Sequence, residues 1–466
     1  MSASEWLEAS ISREYANAEL GDPRRSRRLA EIGGRLAEDP ALSFPDAFAA
    51  PAELEAFYRF LRNDHVTWEA VLEPHFEATC SRATELGECL VIHDTTELTF
   101  KGERNGLGRT SSNEQGFFAH LSLLVAADAV RTPLGVAALE QYARSKQRGP
   151  SRVSTRRDDP KSEGRRWLRN AEAVEKRSKG RFSCIHVADR EGDTFPFLAG
   201  LLDLETRFVV RVAQDRNLED EDGEKVRLHE QLLSMTPQTA LDIDISKRGK
   251  RLNPTMARTH PSRNARKARV SIAATSVMVS VPTQRLSASS IEMNLVRVWE
   301  TRPPDGEPPV EWILWTTEPT RTLKDIRRVV DIYRARWVIE EYFKTLKTGC
   351  SFERRQLESF STLTTALAIL APVAWRLLLM RSIARSHPEC APTEILNPIQ
   401  VKYLEKKYRK VLRNADEALR AIARLGGHLK QNGEPGWQTL WRGYKKLLAG
   451  EAFLRVLNSP ETCDQS

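Results

Sequence analysis

The stretch DIYRARWVIEEYFKTLKTG, residues 331–349, spaces a phenol, a guanidinium, a carboxylate and an ammonium along what reads as one helix. On a helix turning about 100° per residue, Tyr333, Arg336, Glu340 and Lys347 fall within about 60° of one another. A packing stripe repeats apolar residues; this one repeats charge. It reads either as a solvated ion-pair ladder or as a surface that grips phosphate beside a cation-binding carboxylate.

Two further carboxylates sharpen the choice. Asp94 ends the strand-like run VIHD, and Asp189 ends IHVAD. Between about 88 and 213 the pattern runs three strands, helix, strand, helix, strand, the order of a ribonuclease-H-like sheet. In that sheet the ends of the first and fourth strands are neighbours, so Asp94 and Asp189 converge. The helix of 331–349 supplies the missing last element and brings Glu340 in from the side. Three converging acids repel unless cations join them. An oxygen-only set suits Mg²⁺, or Mn²⁺ in its place. Two such ions activate an attacking oxygen and stabilise a leaving one at phosphorus, which is phosphodiester cleavage or strand transfer.

Each acid alone is weak. A strand-end Asp is commonly a turn residue, and a helical Glu is commonly solvated. Together, in this order and beside a basic stripe, they outweigh the bland reading. His93 and His186 alternate to the opposite sheet face and read as structural. No GxGxxG, GxxxxGK[ST] or GxSxG occurs, so dinucleotide, ATP and serine-hydrolase chemistry have no support.

The elements around this core are of two kinds. Residues 1–72 read as helical, with Asp22 as N-cap and Pro23 at the first helical position in LGDPRRSRRLAEIGGRLAEDP. Arg24, Arg25, Arg27 and Arg28 then crowd a helix start, where the dipole disfavours positive charge. An anion would relieve that cost. Residues 216–308 read as a β-rich insertion whose stretch SKRGKRLNPTMARTHPSRNARKARV holds nine Lys/Arg and no acid. It reads as a phosphate-seeking loop or a solvated linker. Residues 375–466 read as all-helical. The expected fold is α/β: a ribonuclease-H-like catalytic core over 73–374 with the insertion at 216–308, flanked by all-helical N- and C-terminal domains.

The 466 residues carry a net charge of +8, a modest basic excess. Six dispersed cysteines, with no CxxC pair and no Cys/His cluster, argue for a reducing compartment and against zinc. MSASEWLEASISREYA lacks a signal pattern. LTTALAILAPVAWRLLLM is interrupted by Pro372 and Arg376 and reads as a buried helix pair, not a membrane span. The expected location is the cytoplasm, with no membrane partner.

The spacing Y-(2)-R-(3)-E-(6)-K resembles the YREK signature of the DDE transposases of bacterial insertion sequences, of the cut-and-paste, Tn-five type. LGDPRR, DTT, DREGD in place of the family's DREAD, RFVVR, the stretch 331–349 and AIARLGG follow in the family's order. The resemblance implies that Asp94, Asp189 and Glu340 form a DDE triad binding two divalent ions. Tyr333, Arg336 and Lys347 would hold phosphates of the element's end, with Arg211 of RFVVR and Trp312 of EWILWTTEP also on the DNA. Trp312 falls at the family's base-stacking tryptophan, whereas Trp315 reads as core. Arg24, Arg25, Arg27, Arg28 and Arg62 of FLRNDHV would help recognise the terminal inverted repeat. The C-terminal helices would form a homodimer in a synaptic complex with double-stranded DNA, and the protein would associate with a bacterial nucleoid. The implied chemistry is nicking, hairpin formation and resolution, then joining of 3′ ends to target DNA. One departure stands out: no methionine lies between Met1 and Met235, so an internally initiated inhibitor like the family's, retaining most of the core, would need a start codon that does not read as methionine. A catalytically retired DNA-binding homologue and a stand-alone ribonuclease-H-like nuclease are the alternatives. The intact triad opposes the first, and the basic N-terminal and large C-terminal regions oppose the second.

Overall fold

The computed structural model describes residues 3–8, 11–144, 162–219, 223–249, 261–280, 290–429, 431 and 435–457. It opens with helices α1 (Ala3–Glu8), α2 (Pro23–Glu38), α3 (Phe44–Ala47), α4 (Pro51–Leu61) and α5 (Trp68–Leu86). Helix α2 starts as its sequence predicts. Asp22 is extended, its carboxylate accepts the Arg24 N–H at 2.8 Å, and Pro23 follows. Leu29, Ile32 and Leu36 turn inward. At Gly33 a Cβ would come within 2.0 Å of the Tyr15 ring, so glycine alone lets that ring through to donate to the Ile369 carbonyl.

The chain then forms β1 (Glu88–Phe100), β2 (Gly108–Arg109), β3 (Gln115–Ala126), β4 (Pro133–Tyr142), helix α6 (Arg166–Ser178), β5 (Ser183–Ala188), helix α7 (Phe195–Asp203) and β6 (Arg207–Arg211). β3 runs antiparallel to β1 and to β4, while β5 and β6 continue the sheet in parallel on β1's other side. The spatial order is therefore β4-β3-β1-β5-β6. Strand β1 outruns its expected end at Asp94. The alternation continues through TTELTF, and Thr95–Phe100 pair with His120–Gln115 of β3. Asp94 thus lies in mid-strand, just past the last residue of β1 paired with β5.

The block 216–308 supplies β7 (Asn217–Glu219), β8 (Lys225–Arg227), helix α8 (Leu228–Ser234), β9 (Thr239–Ile245), β10 (Arg266–Ser280) and β11 (Ser290–Glu300). β12 (Glu311–Thr316) then slots between β6 and β11, antiparallel to both. The inserted block therefore extends the same sheet, which reaches twelve strands. Residues 250–260 of the basic stretch lie outside the described residues. Its C-terminal end is strand, not loop, because the alternation from Arg266 pairs with β9 and β11.

The helix expected over 331–349 is three pieces: α9 (Leu323–Ala335), α10 (Trp337–Lys344) and a π-helical turn at Thr345–Gly349. The break falls at Arg336, whose N–H bonds Tyr333, three residues back, rather than four. The expected apolar helix pair is one helix, α11 (Phe360–Ser386), with Pro372 inside it. Of its most apolar window, 94% is buried in the fold, so packing on every side carries the helix across the missing N–H. Helices α12 (Pro398–Tyr408), α13 (Ala415–Leu425) and α14 (Trp437–Leu457) follow. The expected boundaries at 72/73 and 374/375 fall inside α5 and α11, because those helices pack on the sheet domain as well as on its neighbours.

Candidate active site

Continuing the β1–β5 register beyond Ile92↔Val187 brings Asp189 level with Asp94. Asp189 follows β5 directly and caps a short 3₁₀ turn, its carboxylate accepting the Glu191 N–H at 2.8 Å. Glycine at 192, in DREGD, suits this turn: a Cβ there would sit 2.6 Å from the Ala188 Cβ and 3.3 Å from the Trp167 ring. The second aspartate of that motif is structural. Asp193 is buried, accepts the N–H groups of Ala213 and Gln214 and pairs with Arg216 at 2.6 Å.

Glu340 reaches the pair through an arginine. Arg336 donates to Asp94 at 3.2 Å and to Glu340 at 2.6 Å, so one guanidinium bridges two carboxylates. The helix break at Arg336 makes it the cap of α10, with Glu340 in that helix's first turn. Burial, then the charge of Asp189, pushes the Asp94 carboxyl up; Arg336 opposes them and Glu340 adds to them. The three acids therefore feel one another. All donors are oxygens, two already share a cation, and the set fits divalent cations.

The other residues of the stripe diverge. Lys347, carried into the π-helical turn, lies 3.9 Å from Glu353, which accepts the backbone N–H and hydroxyl of Thr99 on β1. Tyr333 is buried and meets the half-buried Trp312 edge-on, ring centroids 5.5 Å apart. Trp315 is wholly buried, as expected. Arg211 donates to the Glu311 carbonyl at 3.0 Å. An isolated bridge joins Arg248 to Arg263, and Arg211, Arg248 and Arg266 all lie close enough to lower the pKa of Arg263, after burial itself. Arg266 is neutralised by Glu300.

Among the N-terminal arginines, Arg25 donates to the Leu20 carbonyl and Arg28 pairs with Glu31 at 3.6 Å. Arg24 and Arg27 are exposed, with no side-chain partner among the described residues. Arg62 ends α4 with its guanidinium 5.9 Å from the Tyr58 ring.

One residue beside the site, and a cluster on the opposite sheet face, escape sequence reading. Arg166 is buried at the start of α6, donating to the Thr95 hydroxyl at 3.1 Å and pairing with Glu191 at 3.1 Å. Its neighbours in sequence, RRWLRN, hold other arginines and nothing singles it out. The expectation of no Cys/His cluster is corrected. Cys184 and His186 point to one side of β5 and meet Glu175 of α6, a partner eleven residues from His186 that no spacing rule suggests.

Two family models match the chain: "Transposase DNA-binding" over residues 5–66 and "Transposase DDE domain" over 163–375. Together they span more than half of it. The chain belongs to the DDE transposases, and the DDE domain implies a ribonuclease-H-like core. Asp189 and Glu340 lie inside the second match, and Asp94 lies before it. Among solved structures the chain is similar to "Cryo-EM structure of piggyBac transposase synaptic complex with hairpin DNA (SNHP)", at 11% identity and a TM-score of 0.36, over 98% of this chain and 79% of that one. At that score the likeness carries no argument.

Proposed function

We propose that the protein is a cut-and-paste transposase of the YREK type, which nicks an element's ends, forms and resolves hairpins and joins the freed 3′ ends to target DNA. The observation that carries this reading is the arginine bridge. Asp94, Asp189 and Glu340 come from two strands and a helix far apart in sequence, yet share one electrostatic site with Arg336 among them. A protein that only bound DNA would gain nothing from gathering three acids where DNA phosphates must approach.

Asp94, Asp189 and Glu340 would hold two Mg²⁺ ions, with Mn²⁺ as a substitute, and such ions supply an activated attacking oxygen and a stabilised leaving oxygen at phosphorus. The chain's own residues do the rest. Arg336 releases its carboxylates and takes a phosphate, a bidentate exchange its planar fork suits. Lys347 faces the phosphates next along the strand. Tyr333 braces Trp312, so that an indole edge is held beside the site. Arg211, Arg248 and Arg263 form a basic rim along which the DNA backbone runs. The N-terminal helices bind the terminal inverted repeat, and the C-terminal helices dimerise the protein.

The test is incubation of the protein with end-labelled inverted repeats from the DNA flanking its gene, with Mg²⁺ or Mn²⁺. Nicked, hairpin and fully cut products are expected in turn. Binding of the repeats without cleavage in either metal overturns the reading.

A further inference from the structure

The sheet face turned away from Asp94 carries a second cluster of ligating groups. Cys184 and His186 alternate to the same side of β5, and Glu175 descends on them from α6. The thiol sulfur, a ring nitrogen of His186 and a carboxylate oxygen of Glu175 all lie within 4.8 Å of one another. We propose that Glu175, Cys184 and His186 bind one zinc-class divalent cation, separate from the catalytic carboxylates and tying α6 to β5.

Three observations support this. The donors are sulfur, nitrogen and oxygen, a mixture that favours zinc over the hard ions suited to an all-oxygen site. The imidazole faces Glu175 with Nε2, 2.9 Å away, and is oriented from behind: Nδ1 lies 2.8 Å from His93 Nε2, whose own Nδ1 is 2.8 Å from the Ser122 hydroxyl. Such outer partners fix the tautomer of a ligating histidine. Access is also open: the Glu175 side chain is 24% exposed, while that of His186 is fully buried. The Thr206 hydroxyl, 2.7 Å from the same carboxylate, or a water completes four-fold coordination.

Without an ion the cluster is held by hydrogen bonds to Glu175 from His186, Thr206 and Cys184. Binding replaces two of them. The thiol proton leaves to solvent as the sulfur becomes a thiolate ligand. His186 stays neutral, its proton passing from Nε2 to Nδ1, and His93 shifts its own proton to Nδ1, where Ser122 accepts it. The ion would then cross-link α6 to the strand whose next residue is Asp189.

The experiment uses the full chain, stripped with EDTA and titrated with Co²⁺ as a spectroscopic stand-in for zinc. A thiolate-to-cobalt charge-transfer band in the near ultraviolet is expected, saturating at one ion per chain, bleached by Zn²⁺ and untouched by excess Mg²⁺. Cys184→Ser removes the band and Asp94→Asn keeps it. Should Cys184→Ser not fold, Glu175→Gln serves, lowering Zn²⁺ affinity by more than the about 10–100-fold typical of an outer-shell loss. No charge-transfer band, a band that survives Cys184→Ser, or unchanged Zn²⁺ affinity in Glu175→Gln overturns the proposal.

Discussion

Arg336 and Asp94 lie 3.2 Å apart, and the same guanidinium is 2.6 Å from Glu340, so a side-chain cation holds together acids that burial and mutual charge would drive apart. The residue that neutralises the site is also the one proposed to grip DNA. Those two roles exclude each other in time, which makes Arg336 a counter-ion that hands over.

Arg336→Gln should therefore move two measurements in opposite directions. Without its competing cation the site should bind Mn²⁺ more tightly, read by electron paramagnetic resonance, while cleavage of the element's ends falls. In EDTA the variant should lose about 1.5–3 kcal/mol of stability, the worth of hydrogen bonds to charged groups. Unchanged Mn²⁺ affinity and an unchanged melting temperature would remove the counter-ion role.

Replacing the acids separates binding from chemistry. Asp94→Asn, Asp189→Asn and Glu340→Gln should each slow nicking, hairpin formation and strand transfer by at least about 100-fold, beyond a typical outer-shell loss. Binding to the repeat in EDTA should survive. A variant that still cuts at the full rate is not part of the triad.

At the start of α2, within the match to a transposase DNA-binding domain, only two of the four clustered arginines are available as they stand. Arg24 and Arg27 are exposed and unpartnered among the described residues, whereas Arg25 holds the Leu20 carbonyl and Arg28 holds Glu31. Each phosphate contact contributes about 0.9 to the slope of log affinity against log salt. Replacing Arg24 and Arg27 together by Ala should lower that slope by roughly 1.8 on the same basis. An unchanged slope with unchanged affinity would place the DNA elsewhere.

The N-terminal helices are pinned to the sheet domain by a buried ionic contact. Glu14 pairs with Arg82 at 2.8 Å and with His75, while His75 Nε2 accepts the Val136 N–H at 3.1 Å. That acceptance leaves the single proton of a neutral imidazole on Nδ1, donated to Glu14, and burial keeps the ring neutral by lowering its pKa. For Glu14, burial pushes up, but the hydrogen bond from His75 and the charge and hydrogen bonds of Arg82 prevail, holding the carboxyl below the usual carboxylate range. With His75 neutral, the opposing charge is that of Arg82. A carboxyl depressed in the folded state stabilises above its unfolded pKa, and that contribution fades as pH falls through the folded one. Glu14→Gln should thus cost about 3–5 kcal/mol at pH 7, because it strands a buried guanidinium. The gap to the wild type should narrow below about pH 4.5. A gap constant from pH 7 to 3 would show that packing, not charge, makes this contact.

Much of this site is legible in sequence because strands are read by alternation and order. Asp94 and Asp189 need only the right strands in parallel register, and Trp315 needs only parity. What sequence misses is set by tertiary contacts. The break at Arg336 has no proline or glycine to announce it, and it is what puts Glu340 in a first turn. Pro372 announces a break that close packing suppresses. Nothing in DREGD itself shows that Asp193 is structural; its backbone partners at Ala213 and Gln214 do. The Glu175–His186 contact joins helix to strand, and no linear spacing encodes it.

Closing a DNA hairpin bends a duplex end so sharply that a base near the tip must leave the stack. Unstacking costs a few kcal/mol, and an aromatic platform returns about 1–3 kcal/mol per stacked base. Trp312 suits that role better than Trp315, whose indole is sealed in the core. The Trp312 ring is half-buried, held edge-on by Tyr333 three residues before Arg336, so platform and phosphate grip share one helix end. Trp312→Ala should leave the first nick nearly intact and slow hairpin formation or resolution by about 5–150-fold, the rate equivalent of 1–3 kcal/mol. Tyr333→Ala should reproduce part of that defect by loosening the indole, since such aromatic pairs are worth about 0.5–1.5 kcal/mol. Resolving nicked, hairpin and cut products of a labelled end separates the steps. An equal loss at every step, together with a lowered melting temperature, would mean that Trp312 serves the fold alone.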